Sequence, residues 1–321
     1  MEFRTRHPVR VAIIGAGHVG STCAYALLLR GLASEIVLIN LDRERAKGEA
    51  MDLNHGMLFA RPVRVWAGDF ADCDGSDIVV LAAGVAQHPG ETRLDLLKRN
   101  MQVFQQIIPQ VVKYAADAIL IVVTNPVDVL THVAWRLSGL PSTQVIGSGT
   151  ILDTARFRYL LSQHFHVEPR SVHAFIIGEH GDSQVPVWSL ANIAGIQLED
   201  FGHLNGGLLD SKAKEAIAHN TRSAAYEIIQ RKGATYYAIA AGLVRIIEAI
   251  VRNENSVLTV SSLVQGAYHL SEVCISLPSI VNQQGIAQVL ELPLAEEERF
   301  ALDSSAQTVR EAIESLEVQV A

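Results

Sequence analysis

Cysteine is nearly missing from this chain: three residues in 321, Cys23, Cys73 and Cys274, scattered along it and without the paired spacing of a metal site. An odd, dispersed set fits buried thiols in a reducing compartment better than a disulfide framework, so a cytoplasmic protein with no bound metal is expected. Long apolar runs are absent too. No stretch approaches the uncharged span of about 18 residues that would cross a membrane, and Met1–Pro8 carries no apolar signal segment. Basic charge is in deficit, with 26 Lys and Arg against 34 Asp and Glu and a net charge of −8, which argues against a nucleic-acid or polyanionic partner. Low-complexity tracts are missing, and 49% hydrophobic with 19% charged residues describes a compact soluble protein. At 321 residues the chain exceeds the roughly 250–300 at which a single core stops growing, so two domains are expected.

What is present begins at Val9–Arg30, VRVAIIGAGHVGSTCAYALLLR. A short β-branched run (Val9, Val11, Ile13, Ile14) suits a strand covered on both faces. It breaks at Gly15, which with Gly17 and Gly20 forms G-x-G-x-x-G around His18 and Val19; Val19, Cys23, Ala26, Leu27 and Arg30 then follow at helical spacing. In such a turn the first glycine permits the reversal, the second lets a pyrophosphate approach the backbone, and the third lets helix and sheet pack closely. The N–H groups and partial positive charge of the helix start favour an anion there. Strand, glycine turn and helix together point to dinucleotide binding.

Further strands are predicted at Glu35–Asn40, Val63–Trp66, Asp77–Ala83 and Ala118–Thr124, with helices over Asp42–Leu53 and Met101–Ala116. Alternation of this kind gives an α/β fold with a doubly wound parallel sheet, whose right-handed crossovers gather the carboxyl ends of the strands on one edge. Beyond Gly147 the pattern loosens: a helix over Ile151–Phe165, a strand over Val172–Ile177 leading into GEHGD, helices over Ser211–Lys232 and Tyr236–Arg252, strands over Ser256–Val260 and Val273–Leu277, and a charged terminal helix. The division expected is 1–147, a dinucleotide-binding domain, and 148–321, a mixed α+β substrate lobe.

Candidate chemistry follows the strands. His180 lies in the loop after AFII between Gly178 and Gly181, and histidine is the side chain suited to proton exchange near neutral pH. Asp153 and Arg156 share a helix face, either as an ordinary surface pair or as a carboxylate orienting an imidazole beside an arginine that forks onto a substrate carboxylate. The loop Gly84–Asp95 stands where a lid would be, at the carboxyl edge of the sheet.

The blocks GAGHVG (15–20), AQHPGETRLDLLKRN (86–100), TNPVDV (124–129), GSGTILDTARFRYLL (147–161), IIGEHGDS (176–183) and KGATYY (232–237) resemble, in order and spacing, the bacterial L-lactate dehydrogenases. The resemblance implies a Rossmann domain with a substrate lobe, NAD as cofactor, pyruvate and L-lactate as substrates in the last step of lactic fermentation, and a homotetramer. It assigns His180 as proton donor to the ketone, Asp153 as its carboxylate partner, Arg156 as the clamp on the substrate carboxylate, and Arg93 as the lid cation at the reacting carbonyl. Asn125 is placed near substrate and nicotinamide, Thr235 in the pocket wall, and Ile239 behind the nicotinamide ring. Gln87 stands where related malate dehydrogenases carry an arginine; a neutral residue there leaves a second carboxylate unpaired, which favours pyruvate over oxaloacetate. A malate or other 2-hydroxyacid dehydrogenase is the alternative, and a non-catalytic nucleotide sensor is the reading from another class. Arg158 and His173 match positions that bind fructose 1,6-bisphosphate between subunits of allosteric bacterial members.

One position departs from the expected pattern. The acidic residue that should follow the second strand, about 20 positions after the glycine turn, and accept the adenine-ribose hydroxyls is Asn40 here. An amide bonds a hydroxyl but does not repel a 2′-phosphate, so weakened discrimination against NADP is expected unless Asp42 bends back to restore the carboxylate.

Overall fold

A computed structural model describes residues 8–85 and 93–317, with the side chains of Arg93 and Glu317 outside the description. The first half alternates as its sequence pattern requires: β1 (Arg10–Ile14), α1 (His18–Arg30), β2 (Glu35–Ile39), α2 (Arg43–His55), β3 (Arg64–Ala67), β4 (Ile78–Leu81), α3 (Arg93–Tyr114), β5 (Ile119–Val122), α4 (Val127–Ser138) and β6 (Val145–Gly147). The second half holds α5 (Ile151–Phe165), β7 (Val172–Ile177), β8 (Val185–Ile193), β9 (Ile196–Gln197), α6 (Leu198–Asn205), α7 (Ser211–Lys232), α8 (Tyr237–Val251), β10 (Ser256–Gln265), β11 (Ser271–Asn282), β12 (Gly285–Val289) and α9 (Glu296–Glu317).

Nine strands form one sheet in the order β12-β11-β10-β6-β5-β4-β1-β2-β3, and β7, β8 and β9 form a second, antiparallel one. The pairings among β1 to β6 are parallel, whereas β10 joins β6 antiparallel through Ser261 and Gly147. Three strands from the second half thus extend the sheet of the first. Their edge-joining role has no local signal, since a strand's own residues do not say which neighbour it meets. Strand order reverses between β1 and its neighbours β2 and β4, and that switch point opens a crevice at the carboxyl edge.

The two sheet faces explain the unbroken apolar runs. In β1, Val11 and Ile13 face a core shared with Cys23 and Leu27 of α1 and Leu243 and Ile247 of α8. Ala12 and Ile14 face the opposite core, with Phe104 and Ile108 of α3 and Leu302 of α9. Each such leucine, isoleucine or phenylalanine contributes about 1.5–3 kcal/mol on burial, so helices on both faces hold the sheet. A third core, around Phe157, Phe165 and Ile176, joins α5 to the small sheet.

Two expectations need adjusting. The third helix starts at Arg93 rather than Met101 and runs through Pro109, a residue that normally interrupts a helix. The elements α4, β6, β8, β9, α6 and β12 go beyond the sequence expectation; β6, β9 and β12 are brief, whereas α4 and β8 span 12 and 9 residues.

Candidate active site

The glycine turn is set by backbone crowding at two of its three glycines. Gly15 has φ +105°, and a Cβ there would lie 2.6 Å from the Ala83 nitrogen; one on Gly20 would lie 1.9 Å from the Gly15 oxygen. Gly17 differs: a Cβ there would meet nothing within 4 Å, so protein packing does not require its absence. The space it leaves, at the start of α1, fits the close approach of a pyrophosphate. The turn is tied to the end of β2 by the Gly15 N–H, which donates to the Ile39 carbonyl at 2.7 Å, and by the Ala16 N–H, which donates to Asn40 Oδ1 at 3.0 Å.

Asn40 Nδ2 donates in turn to the Asp42 carbonyl at 3.1 Å. The Asp42 carboxylate does not bend back toward the turn: it accepts the Arg45 N–H at 3.1 Å and caps α2. His18 is exposed and stacks on Tyr236 with ring centroids 5.1 Å apart, bringing the turn against the segment entering α8. Val19 and Ile239 are both half-buried against the same core.

At the inner end of the crevice, His180, Asp153, Arg156 and Asn125 line one cavity of about 320 Å³, closed on another side by Arg222 and Tyr226 of α7. His180 Nδ1 and Asp153 Oδ2 are 2.5 Å apart, and Arg156 Nη1 donates to the other oxygen, Asp153 Oδ1, at 3.0 Å. The His180 side chain keeps 24% exposure while Asp153 keeps 4%, so a ligand in the cavity meets chiefly the ring, with the carboxylate mostly beneath it. Burial disfavours the charged imidazole, but the charge and hydrogen bond of Asp153, with Asp128 adding, outweigh it and raise the His180 pKa to about 9. Burial likewise opposes ionisation of Asp153; His180 and Arg156 overcome it and hold the carboxyl below its ordinary value.

The loop carrying His180 is fixed from behind. Gly178 has φ +89°, and a Cβ there would lie 2.7 Å from Ser305 Oγ. Gly178 exchanges backbone bonds of 2.9 and 3.1 Å with Ser276 of β11. The His180 N–H donates to Asp128 Oδ2 at 2.7 Å, Ser276 Oγ donates to Asp128 Oδ1 at 3.3 Å, and the Thr150 N–H donates to Ser276 Oγ at 3.1 Å. Burial pushes the Asp128 carboxyl up to about 6. Sequence reasoning missed Asp128, although it sits in TNPVDV; a carboxylate in the first turn of an apolar helix after a strand was the available signal. It also missed Asn100, which is buried and joins two loops, accepting the Val85 N–H at 2.8 Å and donating to the Asn125 carbonyl at 2.9 Å.

Gln87 and most of the expected lid, Gly84–Asp95, lie outside the described residues, as does the Arg93 side chain. Thr235 is half-buried between α7 and α8 and does not line the cavity. Arg158 donates from Nε to the Ala174 carbonyl at 2.8 Å, next to exposed His173 on β7, on a surface apart from the cavity.

Residues 9–147 match the model of the lactate/malate dehydrogenase NAD binding domain, and residues 150–320 match that of the lactate/malate dehydrogenase alpha/beta C-terminal domain. The chain belongs to the lactate/malate dehydrogenase family. Within that family it is 56% identical over 309 residues to the L-lactate dehydrogenase of Acetivibrio thermocellus, covering 96% of this chain and 98% of the relative. It is 51% identical over 310 residues to that of Moorella thermoacetica, covering 96% and 98%. Among solved members of the family, the fold is similar to the ligand-bound minor L-lactate dehydrogenase of Enterococcus mundtii, with a TM-score of 0.93 at 40% identity, covering 96% of this chain and 98% of that one. It is also similar to the lactate dehydrogenase MGS-M5 from a Medee basin deep-sea metagenome, with a TM-score of 0.94 at 43% identity, covering 97% and 100%.

Proposed function

We propose that this protein interconverts pyruvate and L-lactate with NAD as the coenzyme. The observation that carries the reading is the His180–Asp153 pair opening onto a cavity that Arg156 also lines, in a chain of this family. When bound at the glycine turn, NADH supplies the hydride that reaches C2 of the keto acid. His180, charged at neutral pH, delivers its proton from Nε2 to the developing alkoxide and takes it back in the reverse direction. Asp153 holds the ring in its orientation and offsets the cost of its charge. Arg156 spends one nitrogen on Asp153, and the rest of its fork pairs with the substrate carboxylate. Arg93 supplies a second cation to the carbonyl from the lid, and water excluded by the lid strengthens these charges. Asn125, which lines the cavity, would bond substrate and nicotinamide, and Ile239 would back the ring; Gly15, Gly17, His18, Val19, Gly20 and Asn40 would hold the rest of the coenzyme, with Asp42 reaching it only through its backbone and Thr235 reaching the pocket only on closure around substrate.

NADH oxidation with pyruvate, set beside oxaloacetate and branched 2-keto acids, tests the reading. Pyruvate preferred by at least about 100-fold is the expected result; no turnover with any keto acid overturns it.

The assembly proposed is a homotetramer. Leu58 at 92%, Phe59 at 89% and Met51 at 59% exposure, on and just after α2, support burial between copies, and sedimentation tests it. Arg158, half-buried over the Phe175 ring at 5.5 Å and beside His173, supports a bisphosphate effector site. Fructose 1,6-bisphosphate is expected to lower the apparent KM for pyruvate. No helix among the described residues is long and apolar enough to cross a membrane, and three buried free cysteines support a cytoplasmic setting.

A further inference from the structure

The end of β2 is where a Rossmann coenzyme site meets the adenine ribose, and in this chain no carboxylate faces that point from Asn40 or Asp42. Asn40 presents an amide whose two ends are already engaged: Oδ1 accepts the Ala16 N–H at 3.0 Å and Nδ2 donates to the Asp42 carbonyl at 3.1 Å. It fixes the glycine turn to the strand end beside the backbone bond from the Gly15 N–H to the Ile39 carbonyl. The nearest acid, Asp42, has its carboxylate turned to the Arg45 N–H at 3.1 Å, inside the α2 cap. Glu44 is held by Lys47 at 2.6 Å. Arg43, the first residue of α2, is exposed and has no ion pair among the described residues. The strand end thus carries a neutral amide, with an exposed arginine three residues on at the start of α2, a combination that tolerates a phosphate where a carboxylate would repel it.

We propose that the adenine-ribose end of this site accepts a ribose bearing a 2′-phosphate, so that NADPH serves as a second reductant beside NADH. The inference rests on the dehydrogenase reading above and concerns only which coenzymes enter. The chemistry is unchanged: hydride from the reduced nicotinamide and the proton from His180 convert the keto acid to the hydroxy acid, and the oxidised 2′-phosphorylated coenzyme departs. Asn40 excludes neither coenzyme, since its amide bonds a hydroxyl and does not repel a phosphate, and Arg43 adds attraction for the phosphate alone.

The test is equilibrium binding of NADH and NADPH to the whole protein, read by quenching of its tryptophan fluorescence. A dissociation constant for NADPH within about tenfold of that for NADH is expected. Asn40→Asp should lower the affinity for NADPH relative to NADH at least tenfold, and Arg43→Gln, which leaves the strand end untouched, should weaken NADPH at least tenfold while changing NADH less than threefold. NADH binding with NADPH more than 100-fold weaker overturns the inference and leaves the dehydrogenase reading standing. So does a ratio that neither substitution moves. Binding of neither coenzyme overturns the dehydrogenase reading, and this inference with it.

Discussion

The backbone N–H of His180 donates to Asp128 Oδ2 at 2.7 Å, while the ring of the same residue meets Asp153 at 2.5 Å, so one histidine is held by carboxylates from two helices. The first contact places the loop and the second charges the ring. Both contacts increase the proton affinity of the imidazole, and their separate roles are experimentally distinguishable.

With His180 in the role proposed, pyruvate reduction requires the protonated ring and lactate oxidation the neutral one. With His180 raised to about 9 from an ordinary 6.5, kcat/KM for pyruvate should stay level through neutral pH and fall as pH passes about 9, while lactate oxidation rises over the same interval. The folded state binds this proton more tightly than the unfolded chain, so its stabilising contribution is full below pH 6.5 and is lost as pH rises through about 9. Rate profiles in both directions and thermal unfolding between pH 6 and 10 check this.

Asp153→Asn keeps the shape and removes the charge. Pyruvate turnover at neutral pH should fall by about 10²–10⁴-fold, and the alkaline limb of the profile should move to lower pH. Steady-state kinetics across pH decide it; an unmoved limb would show that the carboxylate does not set the ring's charge.

Asp128→Asn should act differently. The amide oxygen still accepts the His180 N–H, so the loop stays in place and the rate falls modestly, by about tenfold or less, from the loss of one supporting charge. The Asp128 carboxyl is raised to about 6 from 3.8, so the native protein binds the extra proton and loses stability as pH rises between these values. The variant lacks that slope and should equal or exceed the parent in stability at pH 7, as denaturant titrations at pH 4 and pH 7 would reveal.

The glycines of the turn should separate fold from ligand. Gly17→Ala has φ −80° and open space for its Cβ, so unfolding temperature should be nearly unchanged while coenzyme affinity drops at least about tenfold. Gly20→Ala places a Cβ 1.9 Å from the Gly15 oxygen and should cost about 1–3 kcal/mol or more of stability before any ligand is added. Calorimetry with and without NADH measures both.

With Gln87 in the position its family resemblance assigns, Gln87→Arg should move the ratio of kcat/KM values toward oxaloacetate by at least about 100-fold, because the added cation would pair a distal carboxylate that a neutral side chain leaves unpaired. A substrate panel run on both proteins is the check.

Much of this site could be read from residues alone, because its pieces are punctuated locally. Glycines mark the coenzyme turn, and the span from Gly178 to Gly181 marks the loop of His180; Asp153 and Arg156 share a helix face by spacing. Asp128 and Ser276 escaped notice because their importance lies in a meeting 148 positions apart in sequence, which no local pattern encodes. Asn40 was conspicuous as a departure, yet only coordinates reveal that Asp42 is engaged as a helix cap and does not replace it. The first half of the fold was legible through its strand-helix alternation. The joining of β10 to β6 was not, since it depends on a single long-range pairing between Ser261 and Gly147.

That seam has a practical outcome. A gene cut at residue 148 would yield an amino-terminal piece ending in a raw β6 margin and a carboxy-terminal piece whose β10–β11–β12 hairpin array has nothing to lean on. Neither fragment should remain monodisperse alone, and co-expression should rescue both, so the two sequence modules are expected to melt as one cooperative unit.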